Sequence, residues 1–168
     1  MTAAGVRLAL EVPANPHVRL FHVREELTRR VVDVFGPGAP AWLEPIARRE
    51  DVRETSLTRY KVRIAKRRSA SWESIEPAAI AALAARFGAI GPLPPAAESV
   101  GRFGPWPGPR RVFEGVSSAE SDPVGRALFA IDGVAEVVLD PLRTLVVKGR
   151  LFGGSEVFDA VRRVFARH

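Results

Sequence analysis

The chain has 168 residues, 46% of them hydrophobic and 26% charged, and no cysteine, a globular composition that suits one ordinary domain or two small ones. Without cysteine there can be no disulfides, thiol nucleophiles, thiolate-held clusters or cysteine-type zinc sites, and no apolar run approaches the ~18 residues of a membrane span. The net charge of +6 is uneven: residues 1–88 carry 15 basic and 10 acidic side chains (net +5), residues 89–168 carry 10 and 9 (net +1), so the first half is the one suited to attract an anionic partner.

The opening "MTAAGVRLALEVPANP" has a short apolar run broken by Pro13 and Pro16. It does not read as a secretory signal, and a cytoplasmic location is the default expectation. "VRLALEV" and "HVRLFHV" alternate apolar and polar residues at period two, which predicts two strands around "PANP". His17 and His22 are five apart and would face opposite sides of a strand, which argues against a metal pair. The acidic pairs Glu25–Glu26 and Glu50–Asp51 read as surface carboxylates rather than as an acid–base couple. "APAWLEPIARRED" predicts a weak helix, weakened further by Pro45. "VRETSLT" and "YKVRIAKR" predict a hairpin, and "WESIEPAAIAALAARF" a closing helix, in which Pro77 predicts an opening turn over 72–76 and a regular helix from about 77.

Residues 88–110, "GAIGPLPPAAESVGRFGPWPGPR", carry Pro or Gly at about every third position, which disfavours regular structure and predicts a linker. Phe103 and Trp106 within it read either as a peptide-like docking segment or, the preferred reading, as linker aromatics that fold back onto a core, because burying an aromatic is worth ~2–3 kcal/mol. Beyond the linker, "RRVFEGV" is strand-like. "SDPVGRALFAIDG" predicts a short helix, with Asp122 as N-cap, Pro123 at its first position, Val124, Leu128 and Ile131 at helical spacing and Gly133 as terminator. "VAEVVLD" and "TLVVKGR", joined by "PLR", predict a second hairpin. "SEVFDAVRRVFARH" predicts a helix with Val157, Phe158, Val161, Val164 and Phe165 on one face. Glycines cluster at 36–38, 101–108 and 149–154. "GRLFGG" reads as a turn before that helix, since it lacks the Lys and Ser/Thr of a phosphate loop.

The order helix, hairpin, helix thus occurs twice. Aligning Val52 with Val134, a displacement of 82, matches Ile46 with Leu128, Leu57 with Leu139, Ile64 with Val146, Lys66 with Lys148, Ile75 with Val157, Ala79 with Val161 and Leu83 with Phe165 without a gap. An internal duplication follows. The expected fold is α+β: two tandem two-layer units, each an antiparallel sheet with two helices packed on one face, β-β-α-β-β-α in the first and shortened by a lost first strand in the second. The expected division is 1–88, a linker at 89–109, and 110–168.

"EVPANPHVRLFHV" (11–23), "WESIEPAAIAAL" (72–83) and "VFEGVSSAESDPVGRALFAIDGVAEVVLDPLRTLVVKG" (112–149) resemble the opening, closing and central parts of the N-terminal domain of Nfu/NifU-type iron–sulfur scaffold proteins. The resemblance covers most of the chain outside the linker. In that family a Cys-x-x-Cys pair in a separate C-terminal domain holds the cluster, and this chain has neither that domain nor a cysteine. The resemblance therefore implies a folding and protein-contact module with no cofactor, no metal and no catalytic residue. Its partner would be a scaffold, carrier or apo-target of cluster assembly.

The remaining candidate is "KVRIAKRR". Lys61 and Arg63 fall on one strand face, Lys66 on the other, and Arg67 and Arg68 follow at the exit. These five residues form a possible basic contact patch. A nucleic-acid interface would need aromatics interleaved with them, and only Tyr60 is adjacent. The expected function is a non-enzymatic accessory or interaction protein, with a small basic nucleic-acid-binding protein as the alternative.

Overall fold

The structure, a computed structural model, describes residues 5–34 and 38–168; the first four residues of the opening segment and Gly36 of the first glycine cluster lie outside the described residues. Strands β1 (Leu8–Glu11), β2 (Val18–Val23) and β3 (Val32–Val34) precede helix α1 (Glu44–Ala47), and strands β4 (Val52–Thr58) and β5 (Lys61–Lys66) precede helix α2 (Trp72–Phe87). A 3-10 turn (Ala96–Ser99) then leads into β6 (Val100–Phe103), β7 (Arg111–Phe113), α3 (Val116–Ala119), α4 (Pro123–Phe129), β8 (Val134–Leu139), β9 (Thr144–Lys148) and α5 (Gly154–Phe165). The strands form two antiparallel sheets, ordered β1-β2-β5-β4-β3 and β6-β9-β8-β7. The architecture is α+β, and no helix among the described residues is long and apolar enough to cross a membrane.

Each sheet buries one face under its own helices, as period-two strands and amphipathic helices require. In the first unit Leu8, Phe21, Val23, Leu57, Val62 and Ile64 meet Ile75, Ala79, Leu83 and Phe87 of α2 and Ile46 of α1. In the second, Val134, Val137, Leu139 and Val146 meet Leu128 and Phe129 of α4 and Val157 and Val161 of α5. Ser71 caps α2 by accepting from the Glu73 amide at 3.2 Å, and Asp122 caps α4 by accepting from the Gly125 amide at 2.8 Å. The helix α2 runs unbroken from Trp72 with Pro77 inside it, so the expected opening turn over 72–76 is absent. Pro77 is exposed, and the one carbonyl its missing N–H leaves unbonded, that of Glu73, lies on the solvent side of an early turn.

The strand registers repeat. On β2 and β5, Val18 faces Ala65, Arg19 faces Ile64 and Phe21 faces Val62; on β6 and β9, Val100 faces Val147, Gly101 faces Val146 and Phe103 faces Thr144, each pair 82 residues further on. The β4–β5 and β8–β9 hairpins share that displacement, down to an irregularity at Val52/Glu54 and its counterpart at Val134/Glu136. Helix α5 likewise starts 82 residues after α2. A bulge repeated at the same place is a specific backbone feature, so the repetition goes beyond a shared apolar pattern.

Three elements differ from expectation. The stretch 89–109 contains the 3-10 turn and β6, an edge strand of the second sheet. The counterpart of β2 thus lies inside the Pro/Gly-rich segment, where its short length and flanking glycines hid it, and the strand that the second unit lacks is the first one, as expected. β7, within "RRVFEGV", is the counterpart not of β2 but of β3, a three-residue strand that also escapes a period-two reading. The element with no counterpart is β1. It pairs with residues 20–23 of β2, and the matching positions 102–105 end in Gly104–Pro105, where glycine weakens a strand and Pro105 has no N–H to donate to a further one.

The units pack against each other through the β4–β5 turn. Tyr60, 2% exposed, belongs to the core of the second unit, where its ring lies 4.7 Å from that of Phe152 and its hydroxyl accepts from the Gly133 amide at 2.9 Å. Gly133 has φ +92°, and a side chain there would strike Phe152, so glycine leaves room for the ring on which Tyr60 packs; α4 itself ends earlier, with Ala130 as its C-cap rather than at the expected Gly133. Arg59 is buried beside it, donating to the Val134 carbonyl at 2.8 Å and to Glu26 at 2.6 Å. The Ser117 amide donates to the Arg29 carbonyl at 2.8 Å, and Ile90 bridges to Leu8. The equivalent turn of the second unit fills no such socket among the described residues: Leu142, the counterpart of Tyr60, is 87% exposed.

Candidate anion site between the units

The face of the first sheet turned away from α2 carries Glu11, Leu20, His22 and Lys61, because these positions alternate with the core residues Leu10, Phe21 and Val62. The second unit approaches this face with the 3-10 turn and the end of β9. Between them lies a cavity of about 280 Å3, bordered by Glu11, His22, Tyr60, Lys61, Ser99, Lys148 and Arg150 among others. Three of these residues carry a fixed positive charge and one a negative charge.

The carboxylate of Glu11 is shared. It accepts from His22 Nε2 at 2.5 Å and from Arg150 Nη1 at 3.2 Å, and Arg150 is held in place by also donating to the Pro94 carbonyl through Nε at 3.1 Å. Burial, the largest influence on His22, holds its imidazole below the ordinary 6.5, against the opposing pull of Glu11. His22 is therefore neutral near pH 7, and Glu11 balances only Arg150. Lys148 is 3% exposed. Burial lowers its ammonium below the ordinary 10.5, opposed among the described residues by the field of Glu98 and reinforced by that of Arg150. No carboxylate among the described residues lies within ion-pair distance of it or of Lys61. Ser99 is 5% exposed, and its hydroxyl is buried without a partner.

A buried ammonium without a counter-ion and a buried hydroxyl without a bond each cost stability unless something completes them. Both border one cavity, beside Lys61 and Arg150. An oxyanion fits that deficit: it supplies charge to Lys148 and Lys61 and accepts from Ser99.

The sequence patch falls apart in space. Lys61 belongs to this cavity, at one end of β5. Arg63 is bonded to Glu54 at 2.7 Å. At the other end of β5, about 17 Å from Lys61 at ~3.3 Å per strand residue, Lys66 donates to the Ala70 carbonyl and Arg67 to the Glu50 carbonyl, both at 2.7 Å, while Arg68 is exposed. Tyr60, the aromatic that base stacking would need, is buried in the other unit. Three of the four carboxylates in the acidic pairs are also engaged: Arg86 binds Glu25, Arg59 binds Glu26, and Arg49 grips Asp51 through two bonds of 2.8 Å, holding that carboxyl below its usual range, while Glu50 is exposed. Among the described residues no group of three or more His, Asp or Glu gathers as a metal site would require. Sequence reasoning missed Lys148 and Arg150, although the signal was present. They stand 82 residues after Lys66 and Arg68, and the duplication already paired the two lysines.

No protein-family model matches the chain, and no curated protein matches it. Among solved structures, protein SAV1430 from Staphylococcus aureus is similar, with 16% identity over 46% of this chain and 99% of that one and a TM-score of 0.42. These comparisons supply no link to the Nfu/NifU family.

Proposed function

We propose that the chain is a non-enzymatic binding module whose inter-unit cleft takes a small oxyanion, a carboxylate or phosphate. The observation that carries the reading is Lys148, buried and without a counter-ion at a cavity that also holds the unbonded hydroxyl of Ser99. The accessory role in iron–sulfur assembly, with another protein as partner and no cluster held by this chain, rests on the sequence resemblance alone.

Calorimetric titration with inorganic phosphate and with succinate at low salt tests the site. Saturable one-to-one binding of either, lost in Lys148→Met and weakened in Arg150→Met, is the expected result. At a hundred times Kd the bound anion adds ~2.7 kcal/mol of stability, roughly 5–10 °C in Tm for a chain of this size. Absence of binding, or binding indifferent to Lys148→Met, overturns the reading. Binding of a single-stranded oligonucleotide that persists in Lys148→Met and falls steeply with salt would favour a nucleic-acid partner instead.

A further inference from the structure

We propose that the second unit holds a separate pocket for a small planar aromatic molecule bearing one hydrogen-bonding group, of the phenol or indole class. The pocket, about 270 Å3, lies beside the end of β6 and is lined by Phe103, Trp106, Thr144, Arg162 and Phe165 with the Gly104–Pro105 turn. It does not touch the inter-unit cleft and does not depend on that reading.

The internal duplication explains why a pocket exists here. In the first unit the counterpart of Phe103 is Phe21, and it is covered by Leu10 of β1, which faces it across the sheet edge. The second unit has no such strand, because Gly104–Pro105 stops β6. The chain instead turns back through Trp106, whose amide donates to the Asp140 carbonyl at 2.9 Å. Phe103 and Trp106 reach Phe165 at 5.3 and 5.6 Å between ring centroids. Three aromatic walls are left around an opening where the first unit has a packed strand.

The chemistry of the ligand comes from Thr144. Its counterpart is Val62, fully buried in the first core. The second unit places a hydroxyl at the same register position; Thr144 is 1% exposed and its Oγ1 has no partner. An unbonded hydroxyl in an aromatic cavity is unfavourable in the empty protein and favourable toward a ring whose O–H or N–H donates to it. Arg162 at the rim is already paired with Asp159, so the site does not call for a ligand carboxylate. The volume suits one or two fused rings, since a cavity of ~150 Å3 accommodates benzene.

The test uses the full chain and the probes phenol, indole and toluene, with amide and aromatic NMR shifts of Trp106, Phe103 and Phe165 as readout. Phenol and indole are expected to produce saturable shifts confined to these residues, with affinity about five- to tenfold above toluene, the worth of one neutral hydrogen bond. Thr144→Val, a replacement the first unit already carries at Val62, should bring phenol down to toluene while leaving toluene unchanged. Phe165→Leu, which copies Leu83, should weaken all three. Equal affinity for phenol and toluene in the unaltered protein, a phenol preference that survives Thr144→Val, or no saturable shift up to millimolar phenol each overturns the proposal.

Discussion

Lys66–Arg67–Arg68 and Lys148–Gly149–Arg150 leave equivalent strands at equivalent registers and do opposite things. In the first unit the three cations face outward or close the chain on itself, Lys66 and Arg67 each bonding a backbone carbonyl. In the second, Lys148 is buried without a counter-ion and Arg150 reaches into the other unit to bind Glu11. The local structure is the same; the difference is that one copy's strand end is covered by its neighbour. Head-to-tail packing makes the copies unequal, because the Tyr60 turn of the first fills a socket in the second while Leu142 of the second has none.

The comparison breaks most completely at the socket. Tyr60→Ala removes a buried ring and leaves the Gly133 amide unbonded, a loss of about 3–5 kcal/mol. With Trp42 and Trp72 in the first unit and Trp106 in the second, tryptophan emission and far-UV circular dichroism should then follow separate denaturation curves. Tyr60→Phe keeps the ring and isolates the amide, at about 1–3 kcal/mol. If both variants unfold as one cooperative unit with unchanged midpoint, the interface is not what holds the copies together.

The second break is at Lys148. Its ammonium is held below the ordinary 10.5 in the folded protein chiefly by burial, opposed by Glu98 and assisted by Arg150. A group depressed in this way costs stability in full at pH below its folded value, and the cost disappears as pH rises through 10.5. Lys148→Met should therefore stabilise the anion-free protein near neutrality, by about 1–2 kcal/mol or roughly 2–8 °C in Tm, and abolish anion binding. Thr144→Val should stabilise similarly but less, by about 1 kcal/mol. Differential scanning of both variants beside the parent checks the order.

His22 sharpens the comparison through pH. Its imidazole is depressed by burial, so the unfolded chain takes up the proton first as pH falls below 6.5, and stability declines with acidification through that range. His22→Gln should flatten the curve of denaturation midpoint against pH between about 6.5 and 5, while the same curve measured on Lys66→Met keeps the parental shape.

Much of this was legible before any coordinates. The hairpins at 52–66 and 134–148, the helix start at Asp122, and the displacement of 82 follow from alternation, capping and matched apolar positions, which are local signals, whereas Pro77 drew the start of α2 several residues too late. β3, β6 and β7 were hidden or misassigned because three or four residues give too little periodicity, and β6 sits among glycines and prolines that ordinarily end strands. The site was harder for another reason. Nothing in "KVRIAKRR" or "LVVKGR" distinguishes an exposed basic exit from a buried one, since burial is decided by segments distant in the chain, the β4–β5 turn and the 3-10 turn, that border the same cavity. The duplication brought Lys66 and Lys148 together on paper, but chain-local reasoning followed the longer run of charge.

The smallest expected effect is the most discriminating. Lys66→Met removes the equivalent lysine from the first unit, where it is partly buried and its ammonium is bonded to the Ala70 carbonyl. A charged group at the surface with no ion-pair partner contributes within about 0.5 kcal/mol, and the carbonyl it leaves can be rebonded by water. Lys66→Met should thus leave Tm within about 2 °C of the parent and anion affinity unchanged, whereas Lys148→Met, the same chemical change at the same register position, raises one and removes the other. If the two variants behave alike, the asymmetry argued from the packing of the units is not what sets the chemistry of the cleft. If they diverge as stated, it is the burial of one copy by the other, with no change of residue type, that turns a surface lysine into a binding group.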